Sequence, residues 1–507
     1  RVLEAEGMWV AVVPQPNWRD DLRDFTKMGE PRCFFAVTAG NMDSMVNHYT
    51  ATRRLRSDDA YTPGGVAGFR PDYATTVYTQ ILKKLFPSTP VLIGGIEASM
   101  RRLMHYDYWK DRLEPSILIS SGADMLVYGM AERVVAELAR RVKGGENLKE
   151  ITDLPQSAYV RPSGTMLPSL PGVKDKEMHP CHEAVASRKV YAENFVLFEK
   201  TSNSMMPVRL TEQCGESVVV INPPLGPATE AEADAVYNLP FNYAPHPRYE
   251  KKGAIPAWEM IKFSVNIHRG CFGGCSFCAI AAHQGKFVSS RSEASIINEI
   301  NKISMMEGFK GNLSDLGGPS ANMYRMAGRD RERCMKCGRP SCIWPSVCDN
   351  LDTSHEELNV LYRKVNELPF IRKAYVSSGV RYDLLMRDYN RNAGKAEDKY
   401  LNELIVNHTS GRLKVAPEHT DDEVLYLMRK SPFRHFRKLR EKFLAIIKAN
   451  GLKYELIPYF ISAHPGTSEK KMGELARELS DLGMHPEQVQ DFTPTPMTLA
   501  TAMYYLG

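Results

Sequence analysis

Short apolar runs alternate with amphipathic stretches over the first 143 residues of the chain. Residues 72–85 carry apolar side chains at helical spacing, and residues 132–141 form a second predicted helix. Buried strands are predicted at residues 9–13, 33–37, 90–95 and 125–129. Alternation of strands and helices in this manner predicts an α/β domain over residues 1–150, with a Rossmann-like parallel sheet.

The middle of the chain, residues 151–257, is interrupted by proline-rich breaks at residues 162–171 and 223–227. Proline lacks the N–H that helices and sheet ladders need, so such breaks are typical of connecting segments. We therefore interpret this part as a Pro-rich linker region. Within it, we predict a helix at residues 184–199 and a strand at residues 218–221.

Residues 258–507 return to a regular strand–helix pattern. Six strands are predicted, at residues 263–267, 311–316, 374–378, 412–416, 455–461 and 488–492. A predicted amphipathic helix carries Phe436, Leu439, Phe443 and Ile447 on one face. Six strand–helix units predict a partial (β/α)6 barrel, whose functional groups are expected at the carboxyl ends of the strands.

Composition and charge narrow the class of protein. The 507 residues are 43% apolar and carry a net charge of +5, which neither requires nor excludes a nucleic-acid partner. No apolar run approaches the length of a membrane span, so we expect no membrane partner. The chain begins at Arg1 within a predicted helix, and we expect a fragment trimmed at both ends.

Cysteine usage is the strongest chemical signal. Seven of the ten cysteines lie between Cys271 and Cys348, a clustering typical of metal ligands in a reducing compartment, which predicts a cytoplasmic protein. The other three are scattered, and we interpret Cys181 and Cys214 as separate packed thiols.

The loop that follows the first predicted barrel strand contains Cys271, Cys275 and Cys278, with Phe277 directly before the third cysteine. Two glycines inside the loop allow the backbone to fold tightly. Three thiolates can hold three corners of a 4Fe-4S cluster and leave one iron open to a small molecule. Two alternatives are thiols without metal and a zinc site completed by His268 or His283.

A second cysteine set lies in a predicted insertion at residues 321–370. Its members are Cys334, Cys337, Cys342 and Cys348. Four thiolates this close in sequence can hold either a tetrahedral zinc ion or a second iron–sulfur cluster. The set could relay electrons to the first loop or only stabilise the insertion.

Several motifs together resemble the YgiQ-type radical S-adenosylmethionine (radical SAM) proteins. They are Arg269-Gly270-Cys271, Ser276-Phe277-Cys278, the second cysteine set, and residues 93–99, 415–420 and 461–466. The resemblance covers nearly the whole chain. It implies that the open iron binds S-adenosylmethionine and that a reductant such as flavodoxin or ferredoxin supplies an electron. Cleavage of the sulfonium would then give a 5′-deoxyadenosyl radical.

The same resemblance implies cofactor-binding residues at the strand ends. Gly317 and Gly318 resemble the glycine motif that receives the amino group of S-adenosylmethionine, although Pro319 stands where the family more often has an acid. Ser377 and Arg381 could contact the ribose and carboxylate of the cofactor. Plain structural turns are the alternative at both places.

Two further strand ends carry candidate groups. Glu418 and His419 could contact substrate or shuttle a proton, or they could only begin a capped helix. His464 follows the fifth predicted strand, where the family has a Gly-Pro-Gly turn.

The N-terminal layout resembles the cobalamin-binding domain that precedes some radical SAM barrels. The histidine motif D-x-H-x-x-G of that domain does not occur in the chain. It would follow a first strand that we expect to precede Arg1, so cobalamin binding stays undecided. Gly94-Gly95 could admit a ligand or form a strand-to-helix turn.

These observations predict a radical SAM enzyme that acts on an unknown substrate. One alternative is a two-cluster electron-transfer iron–sulfur protein. Another is a zinc-stapled RNA-binding module, suggested by the basic residues Arg434, Arg437, Lys438 and Arg440. The sequence does not identify the substrate, the oligomeric state, or whether S-adenosylmethionine is consumed or recycled.

Overall fold

A computed structural model of the protein describes residues 1–391 and 393–507. The strands of the N-terminal part are β1 Phe35–Val37, β2 Val91–Ile93, β3 His105–Asp107, β4 Arg112–Glu114, β5 Met125–Val127, β6 Ser157–Pro162, β7 Lys174–Glu177, β8 Val208–Cys214 and β9 Ser217–Ile221. Those of the C-terminal part are β10 Ser264–Asn266, β11 His268–Arg269, β12 Ser289–Ser290, β13 Asn312–Leu313, β14 Asp315–Gly317, β15 Lys373–Ala374, β16 Arg412–Glu418, β17 Glu455–Ser462 and β18 Gln488–Asp491.

Helices separate most of these strands, as in other mixed α/β proteins. The helices up to residue 261 are α1 Val2–Ala5, α2 Arg23–Thr26, α3 Ser44–His48, α4 Ala74–Leu85, α5 Gly95–Ser99, α6 Ile117–Ser121, α7 Glu132–Lys143, α8 Cys181–Ala186, α9 Arg188–Ser202, α10 Glu230–Tyr237 and α11 Pro256–Ile261. The later helices are α12 Ala279–Gln284, α13 Glu293–Ser304, α14 Arg331–Met335, α15 Glu356–Asn366, α16 Lys395–Asn407, α17 Asp422–Leu427, α18 Arg434–Ala449, α19 Glu469–Asp481 and α20 Leu499–Leu506.

The N-terminal sheet has seven strands in the order β1-β2-β5-β6-β9-β8-β7. The first three are parallel, as predicted, but β6, β9 and β8 pair antiparallel. The reason is local: only Gly215 and Glu216 connect β8 to β9, and Gly215 has a φ of +63°. A two-residue turn joins antiparallel neighbours, whereas parallel strands need a long crossover.

Two predictions for this part are corrected by the structure. Residues 9–13 form no strand, and the side chain of Trp9 is fully exposed. The apolar run there lacks a neighbouring strand, since the edge of the sheet is β1. Residues 151–257, interpreted as a linker, supply four strands of the sheet, β6 to β9. Their alternation was hidden by the proline-rich connections between them.

The six strands predicted after residue 258 are all present. β10 pairs with β14, β13 pairs with β15, and β16, β17 and β18 form one sheet; every one of these pairs is parallel. The predicted strand at residues 311–316 is divided into β13 and β14. Because parallel strands of one sheet end at the same edge, the loops after β16 and β17 lie on one side of their sheet.

The core of this C-terminal part is a continuous apolar cluster. The predicted helix face is confirmed in α18, where Phe436, Leu439 and Phe443 are buried and Ile447 is half-buried against them. Helix α20 then returns to the N-terminal part, where the Tyr505 ring contacts the ring of Tyr191. Among the described residues, no helix is both long and apolar enough to span a bilayer.

Candidate active site at the cysteine loop

The predicted cysteine loop connects β11 to α12, and Cys278 is the N-cap residue of that helix. Gly273 and Gly274 of this loop lie so close to neighbouring atoms that a side chain would not fit at either position. A Cβ at Gly273 would lie 3.2 Å from Cys271 Sγ and 2.8 Å from a guanidinium nitrogen of Arg381, and a Cβ at Gly274 would lie 2.6 Å from the Pro340 carbonyl oxygen. The backbone therefore forms a cradle with its thiols facing the strand ends.

The positions of the sulfur atoms bear on the kind of metal the loop could hold. One tetrahedral zinc ion with Zn–S bonds of about 2.3 Å holds its sulfurs about 3.8 Å apart. Across residues 1–391 and 393–507, three candidate ligand atoms lie within 4.8 Å of one another only at Cys181, Glu212 and Cys214. At least one pair of loop sulfurs is therefore more than 4.8 Å apart, and the metal at the loop stays a prediction.

Arg381 reaches the loop from the segment after β15. It is buried, Nη1 donates to Cys275 Sγ at 3.3 Å, and Nε donates to Asp383 at 3.1 Å. Burial alone would lower the pKa of Arg381, but the nearby Asp383 carboxylate raises it well above its ordinary value. The side chain predicted to contact the cofactor is thus charged, and it points inward at the thiols.

A second ion pair lies near the loop. The buried carboxylate of Glu418, at the end of β16, is 3.6 Å from Nζ of Lys430. Burial raises the pKa of Glu418, and burial with the neighbouring thiols raises the pKa of Cys278 to about 12. Lys430 acts electrostatically on Cys271, and Glu418 acts on Cys278. Sequence reasoning missed Lys430, which follows α17 without any motif.

The candidate histidines occupy the same edge. Nδ1 of His419 accepts the backbone N–H of Asp421, the N-cap of α17, while its Nε2 is buried without a partner among the described residues. His419 therefore lies at the start of a capped helix whose N-cap is Asp421, and its contact with a substrate stays a prediction. Nε2 of His464 is 3.1 Å from Ser276 Oγ inside the cysteine loop, and burial lowers the pKa of His464 to about 4.

The glycine motif after β14 is closely packed. A Cβ at Gly317 would lie 3.0 Å from Ser378 Oγ, and one at Gly318 would lie 2.3 Å from His268 Nδ1. The Ser377 hydroxyl, predicted to contact ribose, donates instead to the Ser314 carbonyl at 2.8 Å. These contacts explain the glycines by packing, and the contact of Gly317 and Gly318 with a cofactor stays a prediction.

Asp315 in β14 binds the loop that follows β15, and it was not identified from the sequence as a functional residue. Its carboxylate accepts the backbone N–H of Ser377 at 2.8 Å and of Ser378 at 3.2 Å, and also the Ser378 hydroxyl. The carboxylate thereby fixes the loop after β15 to the end of β14. Its only sequence signal was the position at a strand end, next to the glycine motif.

The two histidines considered as zinc ligands do not join the loop thiols. His268 is fully buried, and burial alone lowers its pKa to about 3. Burial lowers the pKa of His283 to about 4, with Arg102, Glu132 and Arg269 as its charged neighbours. Among the described residues, neither histidine lies with two loop sulfurs inside a common distance of 4.8 Å, and the zinc alternative stays open.

The second cysteine set lies beside the first. Cys342 donates its backbone N–H to the Phe272 carbonyl at 3.1 Å, and Ser341 Oγ donates to the carbonyls of Phe272 and Gly273. Nearby thiols act on the ammonium of Lys286, whose pKa burial lowers. Burial raises the pKa of Cys342 to about 11. The insertion therefore supports the first loop directly.

Cys181 and Cys214 are not the separate thiols that we predicted, because they form a disulfide that joins α8 to β8. They are 33 residues apart in sequence, and nothing in the local pattern indicates the pairing. Glu212 lies beside them, buried, and accepts the Met104 N–H at 2.8 Å. Burial raises the pKa of Glu212 to about 7.

The turn after β2 bears on cobalamin. A Cβ at Gly95, which has a φ of +81°, would lie 2.4 Å from Thr38 Oγ1. Gly94 is the N-cap of α5. The two glycines therefore form a strand-to-helix turn that is packed by the chain itself, and they supply no sign of a ligand.

The basic residues of α18 do not form a free surface. Arg437 pairs with Glu478, Lys438 Nζ is 2.8 Å from Asp388, and Arg440 donates to the Leu482 carbonyl. Arg434 lies 3.6 Å from Asp388. The basic residues thus have partners within the chain, and the RNA-binding alternative stays a prediction.

Comparison with known proteins places this geometry in a family. A sequence model described as Radical SAM N-terminal matches residues 1–264, which ends at the first residue of β10. A UPF0313 protein of Porphyromonas gingivalis is 54% identical over 508 residues, covering 100% of this chain and 80% of that protein. The chain belongs to the UPF0313 family of radical SAM proteins. The predicted resemblance to the YgiQ-type group is confirmed.

Other members of the UPF0313 family are similar along the same length. The protein of Bacteroides thetaiotaomicron is 53% identical and that of Geobacter sulfurreducens 46%; each match covers 100% of this chain, and 83% and 81% of the relative. Among solved structures, the radical S-adenosylmethionine methyltransferase TsrM from Kitasatospora setae is 13% identical with a TM-score of 0.49. That match covers 94% of this chain and 67% of TsrM.

Proposed function

We propose that the protein is a radical SAM enzyme, with a 4Fe-4S cluster on Cys271, Cys275 and Cys278 and an unidentified substrate. In this proposal, β10 and β13 to β18 form a partial (β/α)6 barrel behind the Rossmann-like N-terminal domain. The observation that carries the proposal is the tightly packed cysteine loop, in which Arg381 donates to Cys275 Sγ and a Cβ at Gly273 would meet both Arg381 and Cys271 Sγ. Cluster and S-adenosylmethionine together supply one-electron cleavage of the sulfonium C–S bond, giving methionine and a 5′-deoxyadenosyl radical.

The residues of the chain then have defined tasks. Arg381 donates to Cys275 Sγ, which orients the thiolate and places a fixed positive charge beside it. Lys430 and Glu418 present opposite charges at the same strand edge, matching the carboxylate and amino groups of S-adenosylmethionine. His464 holds Ser276 and so fixes the loop. Nothing in the strand-end glycines supports cobalamin, and we propose no step that depends on it.

For the second cysteine set we propose an iron–sulfur cluster rather than zinc. Its thiols are not gathered within 4.8 Å, although one zinc ion would require about 3.8 Å between sulfurs. Lys286 among the thiols would offset the negative charge of thiolates. After anaerobic reconstitution, iron near eight atoms per chain is expected. Iron near four with one zinc would contradict this assignment.

The enzymatic proposal is tested by anaerobic reconstitution with iron and sulfide, followed by S-adenosylmethionine and dithionite. We expect 5′-deoxyadenosine from the unmodified chain and none from Cys271→Ala, since a buried thiolate ligand is lost. Cys33→Ala is the matched control, because Cys33 packs in a separate apolar cluster and should leave the product unchanged. A fully loaded protein that forms no more product than Cys271→Ala would refute the proposal.

A further inference from the structure

A large cleft lies between the N-terminal sheet and the segments on either side of the cysteine loop. Its empty space, including the mouth open to solvent, is about 1370 Å³. Val208, Leu210 and Ile221 of the sheet supply apolar wall, and β11 and α12 form the opposite side. Ligand pockets are largely apolar with a few placed polar groups, and the lining of this cleft has that character.

One buried arginine in this cleft differs from all the others described. Seven arginines are buried in residues 1–391 and 393–507, and six of them pair with a carboxylate. The pairs are Arg70–Asp59, Arg101–Asp43, Arg209–Asp175, Arg291–Glu299, Arg381–Asp383 and Arg429–Glu199. Arg102, 2% exposed, has no carboxylate in ion-pair range among the described residues.

The side chain of Arg102 is fixed by aromatic rings and hydrogen bonds, but no carboxylate among the described residues neutralises its charge. Its guanidinium lies over the rings of Tyr128 at 4.5 Å and Phe198 at 4.9 Å, and Nη2 donates to Ser202 Oγ at 3.4 Å. Nη1 donates to the Ser99 carbonyl, while Nε is buried with no hydrogen-bond partner among residues 1–391 and 393–507. Burial lowers the pKa of Arg102 to about 10. A buried charge is costly unless something neutralises it.

The other charged groups of the cleft wall do not supply that neutralisation. Five basic residues line the cleft but only two acidic ones. Glu132 is 2.7 Å from Arg269, and Glu232 is 3.4 Å from Arg133, so both acids already have partners. The wall thus keeps a surplus of positive charge around Arg102.

We propose that this cleft binds an organic anion with an apolar body, whose carboxylate or phosphate pairs with Arg102. Both kinds of anion match the flat, forked donor set of a guanidinium. Nδ1 of His283, which is also buried and has no hydrogen-bond partner in the described part of the chain, offers one further polar contact. The apolar body would lie along Val208, Leu210 and Ile221.

The position of the cleft links it to the cysteine loop. Ala281 and Ala282 of α12 line both this cleft and a smaller one that contains Cys275 and Cys278. A bound anion would therefore lie one helix away from the thiols. The inference does not rest on radical chemistry, because its test measures binding without S-adenosylmethionine.

The test is calorimetric titration of the full chain, prepared anaerobically, with 1-naphthyl phosphate, 1-naphthoate and uncharged 1-naphthol. We expect at least one anion to bind about tenfold or more tightly than 1-naphthol, and the stronger of the two anions identifies the head group. Arg102→Met should weaken that anion about tenfold to a hundredfold. Arg102→Lys should retain part of the affinity.

Arg140→Met is the matched control, because Arg140 is exposed on α7 outside the cleft. Its affinity should equal that of the unmodified chain. Circular dichroism shows whether Arg102→Met folds. If it does not, the proposal is still tested by the three ligands on the unmodified chain and by the affinity of Arg102→Lys. Equal binding of 1-naphthol and both anions, or anion binding that Arg102→Met leaves unchanged, would overturn the proposal.

Discussion

The two cysteine sets lie side by side but have different surroundings. The loop of Cys271, Cys275 and Cys278 faces buried charges at the strand ends, with Arg381 in contact with Cys275. The thiols of the set at Cys334–Cys348 are half-buried; Asn350 donates to Cys334 Sγ at 3.2 Å, and Lys286 acts electrostatically on three of them. This set is also joined to the first loop through the backbone N–H of Cys342, which donates to the Phe272 carbonyl. A guanidinium in hydrogen-bond contact with a thiol is typical of a reaction site, whereas hydrogen bonds to the backbone of a neighbouring loop are typical of a support.

This difference suggests a division of labour. The first set would hold the group that reacts, and the second would keep the first in shape through Ser341 and Cys342. The hydrogen bonds from the insertion to the carbonyls of Phe272 and Gly273 stabilise the first loop, which an insertion without a supporting role would not be expected to do. The following predictions test that division.

The largest effect is expected at Arg381, on the reactive side. Arg381→Gln should destabilise the fold by about 3–5 kcal/mol, because the buried Asp383 loses its partner. Formation of 5′-deoxyadenosine should fall as well, since Cys275 loses its donor. Urea unfolding and the product assay measure the two effects.

The double variant Arg381→Gln/Asp383→Asn separates the two effects of that change. It should recover much of the stability but not the product, because the buried charge is removed while the thiol stays without a donor. Full recovery of product in the double variant would show that Arg381 serves only the fold.

The disulfide region, remote from both sets in sequence, should respond to pH in a defined direction. The pKa of Glu212 is about 7 in the fold against an ordinary 4.5, so the folded chain holds a proton that the unfolded chain has lost between these values. Stability therefore falls as pH rises from about 4.5 to 7. Glu212→Gln should raise the free energy of unfolding by about 3 kcal/mol at pH 8 and little at pH 4.

Urea unfolding at the two pH values measures this difference. A gain at pH 8 that equals the gain at pH 4 would contradict burial of an uncompensated carboxyl group. The variant should leave iron content unchanged, because Cys181 and Cys214 are bonded to each other and take no part in either set.

Ser341 tests the supporting role of the insertion. Its hydroxyl donates to the carbonyls of Phe272 and Gly273 and accepts the Ile343 N–H at 3.1 Å. Ser341→Ala should cost about 1–3 kcal/mol and increase the loss of iron from the first set. Iron release to a chelator measures the second effect, with the exposed Ser346→Ala as control. Equal release from both variants would show that the insertion does not support the loop.

The smallest effect is expected on the basic face of α18, outside both sets. Arg437 is paired with Glu478 at an exposed position, so Arg437→Gln should change stability by no more than about 1 kcal/mol. Iron content and product formation should be unchanged. Salt-sensitive RNA binding that this variant abolishes would revive the nucleic-acid alternative.

Much of the fold could be predicted because local pattern and burial agree. The six strands after residue 258 and the buried face of α18 follow directly from apolar periodicity. The strand at residues 9–13 failed because an apolar run indicates burial only where a neighbouring strand exists, and Trp9 has none. The strand predicted at residues 218–221 is present as β9, but β6, β7 and β8 were missed because proline-rich connections interrupt the pattern around them and their partners in the sheet are distant in sequence.

The site was predictable where chemistry resides in short motifs. Cysteine spacing indicated both sets, and Arg381 was found from its place after a strand. Lys430, Asp315 and Arg102 were missed, since each acquires its role from a residue distant in sequence, namely Cys271, Ser377 and Phe198. The disulfide of Cys181 and Cys214 was missed for the same reason.

The central claim is that the first set holds a cluster with one iron open to S-adenosylmethionine. Electron paramagnetic resonance of the reduced Cys334→Ala/Cys337→Ala variant tests it most directly, because the second cluster is removed. With about four irons per chain, the remaining signal should change when S-adenosylmethionine is added. A signal that stays the same in a fully loaded protein would contradict the claim and favour simple electron transfer.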